Sequence, residues 1–216
     1  MSNDTKNLSP SYRAPSLAND AYTGVRDMIV SGELPPGALI QERLVTDALG
    51  LSRTPVRQGL TQLVSEGLLI RIPRAGVFVR KLDSRERREF LELRRVLEAG
   101  AAGMAAERIT SSEAAALIAS AEELEACPES ENIQRNRQLE VAFHLRVVEL
   151  SGNREMMKSV ERTHMICLTL FPDEAEPDFI ATRPEEHKRI ADAIASGRAM
   201  RAYVAMWRHF GRALNR

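Results

Sequence analysis

The chain has 216 residues, of which 44% are hydrophobic and 5% are aromatic, and its formal net charge is zero. This apolar fraction is sufficient for a buried core, which excludes a globally disordered chain. No stretch approaches the roughly 20 apolar residues that span a bilayer, and the first residues lack the apolar region of a signal peptide. Cys127 and Cys167 lie in unrelated segments without a CxxC pair. We therefore expect a cytoplasmic protein with reduced thiols and no membrane-bound part.

The positive charge is concentrated in one short segment. Between Ser52 and Lys81 there are six basic residues and one acidic residue, so the segment carries +5 and the rest of the chain −5. A local basic surface on a neutral protein is typical of a site for a polyanion. A run of charge is also often only a solvated helix face, so the feature needs support from the pattern of elements.

The first 82 residues predict an arm, three helices and a hairpin. Residues 1–16 are polar and without periodicity, which indicates a disordered arm. Periodicity predicts helices at 19–31, 41–49 and 53–66, and strands at 68–72 and 77–80. Gly50 ends the second helix, Ser52 is placed to cap the third, and Leu44 is expected to be buried. The order of these elements predicts a winged helix-turn-helix DNA-binding domain over residues 17–82.

Beyond this domain the pattern is helical throughout. Predicted helices span about 84–109, 111–127, 132–151, 154–171, 183–196 and 198–214. The breaks fall at Gly152, between Pro172 and Pro177, and at Gly197. Because most connections are short, residues 83–216 favour a six-helix antiparallel bundle. The expected fold class is therefore mainly α.

The third helix and the hairpin tip carry side chains that suit contact with DNA. The N-terminal residues of the second helix of a helix-turn-helix meet base edges in the major groove. Here they are Ser52, Arg53, Thr54 and Arg57. Arginine can bond both O6 and N7 of guanine, and Arg53 and Arg57 share one helix face. Arg74 and Gly76 lie at the hairpin tip, where glycine lets the backbone approach a sugar-phosphate wall. Small helix pairs of this kind also bind proteins, which is the alternative.

A second constellation combines one carboxylate with three of the four histidines. Glu140 and His144 lie at i and i+4 of one predicted helix, while His187 and His209 belong to the last two helices. One carboxylate and three imidazoles suit a divalent ion such as Zn²⁺, Mn²⁺ or Ni²⁺. The alternative is that each histidine is a surface or hydrogen-bonded residue.

Arg94 and His164 are candidates for binding a small carboxylate ligand. Arg94 borders the buried face of the first bundle helix, whereas Arg95 is expected to point away. Arginine is suited to bidentate contact with a carboxylate. Pairing of Arg94 with Glu98 at i+4 is the alternative. His164 is either a core histidine or a pocket-lining residue.

The N-terminal segments resemble the winged helix-turn-helix of GntR-type bacterial regulators. The matching segments are Leu34-Pro-Pro-Gly, Gln41-Glu-Arg-Leu-Val, Leu51-Ser-Arg-Thr-Pro-Val-Arg, Glu66-Gly-Leu-Leu and Arg74-Ala-Gly-Val-Phe-Val. They occur in order between about residues 21 and 80. The resemblance implies that the DNA-contacting positions are Arg43, Arg53, Thr54, Arg57 and Gly76.

The C-terminal region resembles the FCD sensor domain of the FadR subfamily, and its six helices are similar to the VanR-like branch. The matching segments are Leu93-Arg-Arg-Val-Leu-Glu, Phe143-His, Ser151-Gly-Asn, Glu186-His-Lys-Arg-Ile-Ala-Asp-Ala-Ile and Met206-Trp-Arg-His. The resemblance implies a metal held by an Asp and three His, with a small organic acid beside it. Glu140 stands where the family usually has Asp; the longer side chain can still ligate if it bends.

These features together predict a transcriptional regulator and not an enzyme. We expect a homodimer that reads half-sites of a double-stranded DNA operator and binds a small carboxylate effector beside the metal. Repression relieved by effector is the mode that the resemblance implies. One alternative is that the metal ion is itself the effector. The other is a metal-dependent enzyme, which is disfavoured because the sequence has no HExxH motif, nucleophile elbow or phosphate loop.

Overall fold

The computed structural model describes residues 16–127, 132–170 and 184–214. Within these ranges the chain forms nine helices and one two-stranded sheet, as expected for a mainly α protein. It divides into two compact units between Arg80 and Lys81. The predicted arm, apart from Ser16, and the predicted break between Pro172 and Pro177 lie outside the described residues. None of the described helices is both long and apolar enough to cross a membrane.

The first unit contains three helices and a β-hairpin. The bounds are α1 Leu17–Val30, α2 Glu42–Leu49, α3 Arg53–Glu66, β1 Leu69–Ile72 and β2 Gly76–Val79. The strands are antiparallel, with Leu69 opposite Val79 and Ile72 opposite Gly76. Each predicted element is present with its ends shifted by two residues or fewer, so the predicted winged helix-turn-helix order is confirmed.

Two details of the α2–α3 region differ from the sequence-based expectation. Ser52 occupies the N-cap position of α3, but its side chain accepts no capping hydrogen bond, so the predicted cap is wrong. Leu44 is 59% exposed although it was expected to be buried, whereas Val45 is buried. Successive residues of a helix are about 100° apart, and only one side of this short helix meets the rest of the unit. Leu44 lies on the side of α2 that faces away from the unit, and Ser52 is also exposed.

Gly59 allows α3 to lie directly against α1. A Cβ at this position would be 2.7 Å from the backbone nitrogen of Tyr22 and 3.0 Å from the carbonyl carbon of Ala21. The Tyr22 hydroxyl donates to Oε2 of Glu66 over 2.8 Å, which adds a contact at the far end of α3. The buried side chains around this contact are Val25, Ile29, Val56, Leu60 and Leu63. The packing holds one face of α3 against α1 and leaves the opposite face exposed.

The second unit contains the six predicted helices. Their bounds are α4 Ser84–Ala106, α5 Ser111–Glu125, α6 Ile133–Leu150, α7 Arg154–Thr169, α8 Pro184–Ala195 and α9 Ala199–Leu214. α4 packs against α6, α7, α8 and α9, and α5 packs against α6 and α8. Reciprocal capping boxes begin α4, where Asp83 pairs with Glu86, and α5, where Thr110 pairs with Glu113. Local capping thus sets where these helices start, and α4 lies at the centre.

The core of this unit contains polar groups among apolar ones. Its largest fully buried apolar side chains include Leu117, Phe143, Ile190, Ile194 and Met206. Glu98, His144 and His187 are 0% exposed in the same interior, and His164 is 3% exposed. Burying ionisable groups costs free energy unless they are paired or bound to a metal. The partners of these residues therefore locate the candidate site.

Candidate metal centre and nucleic-acid surface

Four potential ligands converge inside the second unit. One ligand atom from each of Glu140, His144, His187 and His209 lies within 4.8 Å of the others. α6 supplies the first two because residues at i and i+4 stack on one helix face, and α8 and α9 supply one histidine each. Glu140 bridges two rings: its Oε1 is 3.3 Å from Nε2 of His144, and its Oε2 is 3.3 Å from Nε2 of His187. The structure thus brings together all four residues that the sequence pattern grouped.

Several potential metal-ligand atoms at this centre are buried without a hydrogen bond. Within the described residues, these atoms are Glu140 Oε2, His144 Nε2, and Nδ1 and Nε2 of His187. The two 3.3 Å contacts of Glu140 are close but do not have hydrogen-bond geometry. Leaving such atoms unpaired costs about 1–3 kcal/mol each. A divalent ion would satisfy them, and a carboxylate with imidazoles is a ligand set that Zn²⁺ accepts. The residues present therefore fit a metal.

The electrostatics of the centre keep its carboxylate ionised. Burial acts to raise the pKa of Glu140, but His187 and His144 hold it well below its usual range. Burial acts to lower the pKa of His144, but Glu98 and Glu140 raise it to about 9. Burial lowers the pKa of His209. The negative charge that a cation requires is consequently in place.

Two further carboxylates hold histidine rings from outside the ligand group. Oε2 of Glu98 lies 2.5 Å from Nδ1 of His144, and Oε2 of Glu186 lies 3.1 Å from Nδ1 of His209. Carboxylates in this position fix the orientation and tautomer of metal-binding histidines. Each of these two rings keeps its Nε2 for a ligand role.

Arg94 and His164 contact Glu98 and each other. Nε of Arg94 donates to Oε1 of Glu98 over 2.8 Å, and Nη2 of Arg94 lies 2.7 Å from Nε2 of His164. The guanidinium also lies 5.0 Å from the ring centroid of Phe210. Burial and the Arg94 charge lower the pKa of His164 to about 4, so its neutral ring accepts from Arg94. The Arg94–Glu98 pairing expected as the alternative to ligand binding is thus present.

A second group of possible ligands shares one residue with the first. Glu98, His144 and His164 also place ligand atoms within 4.8 Å of one another. A cation bound there would lie beside the Arg94 guanidinium, which is 2.7 Å from His164. Repulsion between like charges is strong in a buried, low-dielectric site. The four-residue group is therefore the better candidate for a metal.

The predicted DNA-contacting residues all lie at the surface of the first unit. The exposed positions are Arg43, Ser52, Arg53, Thr54, Arg57, Arg74 and Gly76. The outward face of α3 presents Thr54, Arg57, Gln58, Thr61, Gln62 and Ser65. These side chains offer hydroxyl, amide and guanidinium groups, and none of them is acidic. Such a face can pair with base edges and phosphates.

The hairpin tip has a backbone that favours glycine. Arg74 has φ 64° and Gly76 has φ 123°, both in the left-handed region. A Cβ on Gly76 would also lie 2.9 Å from Cδ1 of Leu39. Glycine at position 76 is therefore required by conformation and by packing, and Arg74 projects from the turn.

Comparison with known proteins decides the family. The FCD domain matches residues 89–212, more than half of the chain, and the family of bacterial regulatory proteins named gntR matches residues 17–79. The chain belongs to the GntR family. More fully, it is a GntR-type transcriptional regulator with an FCD domain, and not an enzyme.

This GntR-family regulator is similar to known regulators along most of its length. It is 36% identical over 135 residues to the Nta operon transcriptional regulator of Aminobacter aminovorans, covering 62% of this chain and 63% of that protein. It is 24% identical over 208 residues to the HTH-type transcriptional regulator LutR of Bacillus subtilis, covering 84% and 92%. Escherichia coli McbR/YncC has the same fold, with a TM-score of 0.77 at 20% identity over 94% of this chain and 97% of that one.

One residue of this GntR-family regulator lies elsewhere than expected. Arg95 does not point away: its Cζ is 3.8 Å from the ring centroid of Trp207, and its Nε donates to the Trp207 carbonyl over 3.1 Å. α9 packs against α4, so the two arginines at positions 94 and 95 both meet aromatic rings of that helix. A guanidinium over an indole ring is a favourable cation–π contact.

The sequence pattern of the GntR-family regulator did not reveal the two supporting carboxylates. The sequence pattern indicates Glu98 only as a partner of Arg94, and Glu186 only as part of a matching segment. One sequence feature could have indicated that Glu98 is buried: it directly precedes segment 99–106 of α4, which consists largely of small residues and is mostly buried. That signal indicates a buried charge but not its partner on another helix.

Proposed function

We propose that this regulator binds a DNA operator through α3 and the hairpin, and that a divalent metal and a small carboxylate effector in the helical domain control that binding. The proposed control by metal and effector, called here the sensor half of the proposal, rests on one observation. One carboxylate and three imidazoles meet in the interior of the second unit, and several of their atoms lack hydrogen bonds within the described residues. Membership in the GntR family supports the DNA-binding half. The protein would act in the cytoplasm, where operator DNA is found.

Each proposed DNA-binding residue has an assigned role. Arg53 and Arg57 are proposed to read bases because they lie in the first turns of α3 on its exposed side. Arg43 and Arg74 are proposed to bind phosphates. Ser52 and Thr54 are proposed to make polar contacts with the DNA. Gly76 is proposed to let the hairpin backbone approach the sugar-phosphate wall.

The metal is proposed to be held by Glu140, His144, His187 and His209. Zn²⁺, Mn²⁺ and Ni²⁺ all suit this ligand set. When bound, the ion supplies a Lewis-acidic position for a carboxylate oxygen. The four side chains would tie α6, α8 and α9 together, so metal binding would also stabilise the folded unit.

Arg94 is proposed to bind the effector carboxylate, with His164 beside it. Two of the guanidinium nitrogens already contact Glu98 and His164. Arginine has five N–H donors, so it retains capacity for a further acceptor. The effector would therefore meet a cation that is already oriented by buried neighbours.

The regulatory output is proposed to pass through a homodimer. Two winged domains would read the half-sites of a two-fold operator. The effector must bind one of two conformational states more tightly to change operator affinity. We propose repression that the effector relieves, because the resemblance to the family implies this mode.

The proposal is tested by metal analysis and operator binding on the full chain. We expect the wild type to retain a divalent ion, His187→Ala and His209→Ala to lose it, and Arg53→Ala to keep it while weakening operator binding by about 1–3 kcal/mol. A wild type that binds no divalent ion would refute the sensor half, and unchanged operator affinity in Arg53→Ala would refute the recognition-helix assignment. If a chelator alone changes operator affinity with no organic acid present, the ion is itself the effector.

A further inference from the structure

Glu98 is a fully buried carboxylate in the middle of α4 and lies outside the proposed ligand set. It is 0% exposed. Its two oxygens have different partners: Oε2 lies 2.5 Å from Nδ1 of His144, whereas Oε1 accepts from Nε of Arg94 over 2.8 Å. Oε1 is also 3.3 Å from Nε2 of His164. One side chain thus connects a proposed metal ligand with the proposed effector-binding arginine.

The contact with His144 determines which ring nitrogen is available. As a metal ligand, His144 is a neutral imidazole, which carries its hydrogen on one nitrogen and a lone pair on the other. A carboxylate at Nδ1 favours the hydrogen there and leaves the lone pair on Nε2. Nε2 is the atom that faces Glu140, 3.3 Å from its Oε1, and it makes no hydrogen bond within the described residues.

We propose that Glu98 is the positioning residue that holds His144 as an Nε2 ligand, and that it couples this ligand to Arg94. The inference rests on the proposed metal site. A ligand that draws the Arg94 guanidinium away from Oε1 changes how strongly Oε2 holds the His144 ring. Effector and metal are therefore coupled through one carboxylate, and each alters the affinity of the other by the same factor.

A purely structural role for Glu98 makes a different prediction. In that case the carboxylate only compensates the buried charge of Arg94, and its replacement changes folding stability without altering the metal site. The chain offers a matched control, since Glu92 of the same helix pairs with Arg88 over 3.0 Å at the surface. Glu92→Gln removes the same charge from α4 away from the histidines.

The test uses Zn²⁺ and Co²⁺ as probes on the full chain, with affinity measured by chelator competition and coordination by the visible spectrum of Co²⁺. We expect Glu98→Gln to weaken binding by about 10- to 100-fold and to change the Co²⁺ spectrum. Glu98→Asp is expected to recover part of the affinity, and Glu92→Gln to match the wild type. Arg94→Lys, which keeps the charge but loses the planar contact, is expected to shift metal affinity several-fold. Wild-type affinity and spectrum in Glu98→Gln would overturn the positioning role.

A measurement on the wild type keeps the test independent of whether the variants fold. With ¹⁵N-labelled histidine and Zn²⁺ bound, we expect His144 to show a protonated Nδ1 and a ligated Nε2. A His144 ring protonated at Nε2 would overturn the inference even though metal is bound. A wild type that binds neither ion would instead refute the proposed metal site, so the two failures are distinguishable.

Discussion

Nε of Arg57 on α3 donates to Oε2 of Glu42 on α2 over 2.8 Å, which joins the two helices of the helix-turn-helix. The side chains are 64% and 36% exposed, so the ion pair adds little to stability. Its effect is on orientation, because the contact uses Nε and leaves the two terminal nitrogens outside the ion pair, in a position to make bidentate contact with guanine. Restricting a side chain before binding reduces the entropy that binding costs.

We therefore predict that Glu42→Gln lowers the specificity of DNA binding. Arg57 then has a neutral amide oxygen as its acceptor in place of a carboxylate, which weakens its anchoring and the operator complex, while removal of a negative charge strengthens non-specific binding. Fluorescence anisotropy at fixed salt, on a selected operator and a scrambled duplex, measures the ratio. Asp47→Asn is the control, since Asp47 is an exposed α2 acid that lies 3.8 Å from Arg43. An operator-to-scrambled ratio in Glu42→Gln equal to that of the control would contradict an orienting role.

Removing the charge of Arg74 is predicted to weaken operator and scrambled duplexes by similar factors. The residue lies at the exposed hairpin tip, where a phosphate contact carries no sequence information. The slope of log K against log salt for Arg74→Ala is expected to fall in magnitude by about 1. Arg74→Gly should have the same effect on DNA without loss of stability, because glycine adopts φ 64° freely. A salt slope equal to that of the wild type would argue against a phosphate contact.

Glu140→Gln is predicted to lower metal content and to abolish stabilisation by added metal. The substitution keeps the shape of the side chain but removes the only carboxylate of the ligand group. Bound metal raises the free energy of unfolding in proportion to the logarithm of its concentration over Kd, so thermal melting with and without Zn²⁺ reports on the site. Glu149→Gln, on the exposed side of the same helix, should melt as the wild type does. Full metal content in Glu140→Gln would place the ion elsewhere.

Gly59→Ala is predicted to destabilise the first unit by about 1–3 kcal/mol. The new Cβ would lie 2.7 Å from the backbone nitrogen of Tyr22, and backbone of a packed helix cannot move cheaply. Gly24→Ala is the matched control in α1, because the atom nearest to its Cβ, Cδ2 of Leu49 at 2.6 Å, is the end of a side chain and not backbone. Urea unfolding of both variants measures the difference. Equal stabilities would show that α1 and α3 can separate without penalty.

The sequence by itself determined the secondary-structure elements and the four candidate residues of the proposed metal site. α3 begins and ends where the pattern placed it, because Pro55 has the fixed φ of a first helical turn and Gly67 readily adopts the left-handed conformation that ends the helix. The pairing of Glu140 with His144 could also be predicted, since residues at i and i+4 share a face of any helix. His187 and His209 join the group in the sequence analysis because three of the four histidines lie on predicted helices of the bundle, and the family resemblance implies the same set.

The tertiary structure decided which side chains meet across helices. Glu98 and Glu186 support His144 and His209 from α4 and α8, and no spacing within a single helix indicates these contacts. Arg95 likewise packs on the ring of Trp207 on another helix, a contact that spacing within α4 does not indicate. The helical period sets the direction of a side chain from its own axis. The side chain's neighbours depend on the distance and rotation of the next helix, which the packing of the whole core determines.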